Sequence, residues 1–69
     1  MMGPTKNYMP NKLNIEMKNG DVMLGMFKII DTRCDMDRLV FWYPEEQCIC
    51  AVNWVDVSKV YFYYEDENG

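Results

Sequence analysis

The side chains in this sequence that could do chemistry fall into a few groups: the loop carboxylates Asp31, Asp35 and Asp37, the cations Lys28, Arg33 and Arg38, the thiols Cys34, Cys48 and Cys50, and the pair Asn53-Trp54. The carboxylates could flank a metal ion or divide into a general acid and a general base. The calcium-loop pattern, however, needs a glycine and a distant glutamate in register, and the segment Asp31 to Asp37 supplies neither. A loop of alternate aspartates therefore reads as solvated, and an enzyme built on them is the reading set aside. Nucleophilic catalysis also lacks its parts: there is no histidine, Ser58 is the sole serine, and no base accompanies the cysteines.

The thiols invite a metal reading of their own. On a strand, Cys48 and Cys50 would point to one face and Ile49 to the other. A zinc site would want a fourth ligand, and without histidine the thiols read as small apolar packing groups. No cofactor and no metal are expected. The odd cysteine count also differs from the even framework of a small secreted domain, which places the chain in a reducing compartment.

Binding chemistry has better candidates. Asn53 can read a base edge through paired hydrogen bonds, and with Arg33 it could form the wall of a pocket that Trp54 closes. The alternative is that Asn53 caps the short turn at Asp56 while Trp54 fills the open end of the fold. Trp42 and Tyr43 stand beside Pro44 at a hairpin end, where their rings could stack on a nucleobase or cover the edge of the core. The expected ligand-binding set is Lys28, Asp31, Arg33, Asp37, Asn53 and Trp54. The expected interface set is Trp42, Tyr43, Tyr61 and Tyr63.

These groups must be positioned by strands, because no useful helical period occurs anywhere. Leu13, Ile15 and Met17 alternate with polar residues, and Asn19-Gly20 then predicts a tight turn in which both central residues take positive φ. Val22 to Ile30 predicts a second strand with Met23, Gly25, Phe27 and Ile29 facing the core around Phe27. Gly25 in mid-strand implies a strong bend or a close neighbour. Asp31 to Asp37 reads as a loop and Arg38 to Tyr43 as the third strand. Pro44-Glu45-Glu46-Gln47 predicts a type I turn before a fourth strand, Cys48 to Trp54. A tight turn at 55–58 leads to a fifth, Lys59 to Tyr64. The fold class is all-β, a small and strongly bent five-stranded antiparallel barrel.

One domain, residues 13–64, accounts for the chain of 69 residues, with a flexible N-terminal arm over 1–12 and an acidic tail over 65–69. Glu65-Asp66-Glu67 reads as a charged stop that protects the last strand's edge, or as a phosphate mimic toward a basic partner. Apolar residues are 49% of the chain and aromatics 14%, more than so small a core can hide, so some of this surface should meet a partner. A net charge of −4 disfavours general nucleic-acid binding, although Lys28, Arg33 and Arg38 could hold a few phosphates locally. No apolar run approaches the roughly 20 residues of a membrane helix, nor is there a secretory pattern at the start, and a cytoplasmic setting is expected.

At this point the stretch Gly20, Gly25, Phe27 and Asp31 resembles the first motif of the Sm and Sm-like proteins, in which two glycines five apart precede a large apolar residue and an aspartate. Met36-Asp37 and Leu39 continue the resemblance, displaced by about two loop residues, and the match covers roughly Leu13 to Leu39. The family's second motif, an apolar residue followed by arginine and glycine, is replaced by Ala51-Val52-Asn53-Trp54-Val55-Asp56. The missing residues are those that help the family hold uridine. What the resemblance implies is architecture, a bent barrel, and assembly into rings by pairing the fourth strand of one subunit with the fifth of the next. The resulting expectation is a non-enzymatic module that self-associates through edge strands and binds or sequesters a protein partner or a small anionic, nucleotide-like ligand. Viruses and mobile elements often encode such inhibitors, which would place it in the host cytoplasm. The alternative is Sm-like RNA binding.

Overall fold

The computed structural model describes residues 9–66, and within them the chain is all-β, with a single short 3-10 turn and no α-helix. The strands are β1 (Lys12–Met17), β2 (Val22–Met26), β3 (Arg33–Cys34), β4 (Arg38–Tyr43), β5 (Cys48–Asn53) and β6 (Val57–Tyr63). All pairings are antiparallel. Both β2 and β3 pair with β4, which already has β5 on its other side, so they act as two pieces of one bent strand. The resulting path, β5, β4, β2 with β3, β1, β6, is a curled half-barrel of five strands. Among the described residues closure stops short: β5 pairs only β4 and β6 only β1, which leaves one edge of each unpaired there.

Residues 27–30 leave the sheet where the sequence predicts strand, and within the predicted loop Arg33–Cys34 rejoin it. The cause lies in the partner strand. Met26 pairs Trp42 and Arg33 pairs Val40, so six residues on one side span a single unpaired position on β4 and must bulge outward. Ile29, expected in the core, is 75% exposed at the tip of that bulge.

The core is Leu13, Ile15, Leu39, Phe41 and Val52. Its centre is Phe41 rather than Phe27, because β4 is flanked on both sides while Phe27 sits at the start of the bulge, half-buried and edge-on to Phe62 with ring centroids 5.7 Å apart. Gly25 makes room for this arrangement. A Cβ there would lie 2.6 Å from Phe41 Cδ2 and 3.2 Å from the Trp42 carbonyl oxygen.

The first hairpin also differs from expectation. The Gly20 N–H donates to the Met17 carbonyl at 3.0 Å, and only Gly20, at φ 97°, takes positive φ. Lys18 and Asn19 occupy the centre of the turn and Gly20 the left-handed position after it, the three-residue alternative to a two-residue loop. Asn19 Oδ1 then accepts from the Asp21 N–H at 2.9 Å. In the second hairpin the Gln47 N–H donates to the Pro44 carbonyl at 3.2 Å, and Gln47 carries φ 52°.

The 3-10 turn Trp54–Asp56 replaces the tight turn expected at 55–58, and β6 starts at Val57. At the other end, the Asn11 side chain holds the Glu65 backbone twice, accepting from its N–H at 2.8 Å and donating to its carbonyl at 2.9 Å. Most of the expected arm (1–8) and the end of the acidic tail (67–69) lie outside the described residues. No helix among the described residues is long and apolar enough to cross a membrane.

Candidate functional site

Antiparallel partners share a face, and β4 has Leu39 and Phe41 in the core, so Arg38, Val40 and Trp42 are turned outward. The register sets three cross-strand rows on that outer face: Arg38 with Asn53, Arg33 with Val40 and Ala51, and Met26 with Trp42 and Ile49. Val40, Ala51, Trp42 and Ile49 form an apolar floor. Cations border it. Lys28 reaches back from the bulge, with Nζ 4.7 Å from the centre of the Trp42 ring, close enough for a cation–π contact.

The two arginines converge on one carboxylate. Asp35 Oδ2 lies 3.4 Å from an Arg33 guanidinium nitrogen and 3.7 Å from Arg38 Nε. All three side chains are well exposed, so these pairs contribute little stability. Their effect is positional: two cations share a single counter-charge, and each guanidinium retains donors for another anion.

What holds Asp35 in place is Trp54. Its indole Nε1–H donates to the Asp35 carbonyl at 2.7 Å, and its backbone N–H donates to the Asp37 carbonyl at 3.1 Å. Trp54, half-buried against the core, has therefore spent its one polar group on the 35–37 turn. Asn53 precedes the 3-10 turn without any side-chain capping bond, and its exposed amide stands across from Arg38.

Arg33 and Asn53 thus lie on one face with β4 between them, two residues out of row and roughly 12 Å apart at the usual strand spacing and rise. Asp37 belongs to the turn that Trp54 anchors. Lys28 and Asp31 stand on the bulge, where the Asp31 N–H donates to the Lys28 carbonyl at 2.9 Å and the Thr32 hydroxyl accepts from the Lys28 N–H at 3.0 Å. Asp31 and Lys28 also line an open groove of about 770 Å³ together with Met9, Asn11, Phe27 and Ile30. Arg38, expected as a phosphate-holding cation though outside the ligand set, joins the face, as do Val40 and Ile49, which neither group names. Strict alternation along Arg38–Tyr43 was the signal that could have found Val40.

The four expected interface aromatics do not share a surface. Trp42 belongs to the outer face just described. Tyr43 points inward, edge-on to Phe41 at 6.1 Å, and its hydroxyl donates to Glu45 Oε1 at 3.2 Å. Desolvation, followed by the Glu45 charge and hydrogen bond, pushes the Tyr43 hydroxyl above the ordinary tyrosine range. Tyr61 and Tyr63 lie on the outer face of β6, opposite Asn14 and Lys12, at 45% and 38% exposure. Phe62 and Tyr64 are exposed to a similar degree. Asn14 Oδ1, in the row between Leu24 and Tyr61, is buried and has no hydrogen-bond partner among the described residues.

Cys34 is exposed, while Cys48 and Cys50 are half-buried on the inner side of β5 with their sulfurs 3.7 Å apart. Burial, and then the neighbouring Cys48, pushes the Cys50 thiol up. Among the described residues, Glu46, Cys48 and Cys50 bring potential metal-ligand atoms within 4.8 Å of one another. Comparison with protein-family models, curated proteins and solved structures finds no match to this chain.

Proposed function

We propose that the protein is a non-enzymatic binding module that assembles with copies of itself through β5 and β6 and acts by occupancy, holding a small anionic, nucleotide-like ligand. The observation that carries this reading is the incomplete barrel: among the described residues both end strands keep an unpaired edge, and the exposed run Tyr61 to Tyr64 accompanies one of them. An open row of backbone donors and acceptors beside exposed aromatics is a template for another strand. The resemblance to Sm-like proteins implies the same two edges. The ligand half of the reading rests on the outer face, where an apolar floor for a planar group is bordered by Lys28, Arg33 and Arg38, with Asn53 opposite. An inhibitor or sequestering protein of the kind viruses encode, working in a reducing cytoplasm, fits this inventory.

Size-exclusion chromatography with light scattering at micromolar concentration tests the assembly. A defined multimer supports the reading, and a clean monomer removes it. Sm-like RNA binding is the second reading, favoured by the Lys28 contact with Trp42 and by Arg33 and Arg38 on the same face, and opposed by the net charge of −4. An electrophoretic shift with uridine-rich and adenine-rich RNA at near-physiological salt separates the two, since a small-ligand module shifts neither.

A further inference from the structure

The inner side of β5 carries a donor set that the outer face does not use. Cys48 and Cys50, two residues apart, project their sulfurs to the same side, and neither is in a disulfide. Glu46 comes from the preceding turn, where the left-handed backbone of Gln47 reverses the chain and returns the carboxylate toward β5. Tetrahedral zinc held by two thiolates at about 2.3 Å requires sulfurs about 3.8 Å apart. The observed separation is 3.7 Å. A disulfide, by contrast, would need the sulfurs to close to about 2 Å.

We propose that Glu46, Cys48 and Cys50 form a zinc site, two thiolates and one carboxylate, whose fourth position is left to water. The mixed donor set selects the metal: thiolate pairs suit zinc and copper(I), and a carboxylate as third ligand favours zinc. On binding, each thiol forms a Zn–S bond and releases its proton to solvent, while the carboxylate adds without proton loss. The absence of histidine, which argued against zinc from the sequence, excludes only the commoner ligand sets. The site is separate from the ligand face; it sits on β5, one of the two strands proposed to pair between copies, with its donors on the inner side of the sheet.

The test uses the unaltered protein, stripped by a chelator and divided into portions with and without added zinc. Both are alkylated, and the modified peptides are read by mass spectrometry. Zinc should slow alkylation of Cys48 and Cys50 by more than about tenfold, leave Cys34 unchanged, and bind at one ion per chain. Cobalt(II) in place of zinc should give thiolate charge-transfer absorption that is lost in Cys48→Ser and Cys50→Ser and retained in Cys34→Ser. Glu46→Gln should weaken zinc binding without abolishing protection. Equal alkylation with and without zinc, absence of the cobalt band in the unaltered protein, or protection centred on Cys34 would each overturn the assignment.

Discussion

Trp54 Nε1 donates to the Asp35 carbonyl at 2.7 Å, a bond that ties the start of the 3-10 turn to a loop 19 residues away. Through that carbonyl the indole fixes the residue on which Arg33 and Arg38 converge. Trp54→Phe deletes the donor together with part of the ring that packs against the core. It should destabilise the fold by about 1 to 3 kcal/mol, the cost of leaving a part-buried acceptor unpaired. Urea unfolding measures this. Unchanged stability would mean that the bond does not hold the loop.

Gly25 and Gly20 should respond to alanine for different reasons. Gly25→Ala drives a Cβ into Phe41 and the Trp42 carbonyl and should cost about 1 to 3 kcal/mol, much of it recovered by Phe41→Leu in the double variant. Gly20→Ala meets open space and should cost about 1 to 2 kcal/mol through its φ of 97° alone. Its effect should add to Phe41→Leu without coupling. A denaturation series over the three single and two double variants distinguishes these outcomes.

Asn14→Val removes an acceptor that is buried without a partner among the described residues and places a branched residue in mid-strand. Thermal unfolding should show a gain of about 1 kcal/mol. A loss would reveal that the amide is engaged in an interaction outside the described chain.

Tyr43 gives the fold an alkaline limit. Its hydroxyl is held protonated above the ordinary tyrosine value near 10, so the unfolded chain ionises first as pH rises. Its contribution is complete below that value and is lost as pH climbs through the raised one. Phenolate absorbance, taken as the difference between the unaltered protein and Tyr43→Phe, should show a late ionisation that Glu45→Gln moves back toward the ordinary range. Ionisation of Tyr43 together with the exposed tyrosines would contradict the assignment.

Much of the fold was legible because alternation and turn chemistry are local. Arg38–Tyr43 reads as a strand from its branched and aromatic residues, and Pro44 to Gln47 marks the turn after it. What escaped is non-local. The polar residues Arg33 and Cys34 become strand only because Val40 and Leu39 are there to pair them. Phe27 yields the core to Phe41 because burial depends on having neighbours on both sides, which spacing along one strand does not encode. The candidate site divides in the same way. Lys28, Arg33 and Asn53 could be nominated by type, but their common face follows from register across three strands, and the commitment of Trp54 to Asp35 follows from a contact that no sequence pattern records.

Completion of the half-barrel by pairing of β5 and β6 between copies can be followed by hydrogen–deuterium exchange over a dilution series. Edge amides of Cys48–Asn53 and Val57–Tyr63 should be protected at high concentration and exchange faster on dilution, while β1, already paired on both sides, stays constant. Exchange in β5 and β6 that does not depend on concentration would contradict it.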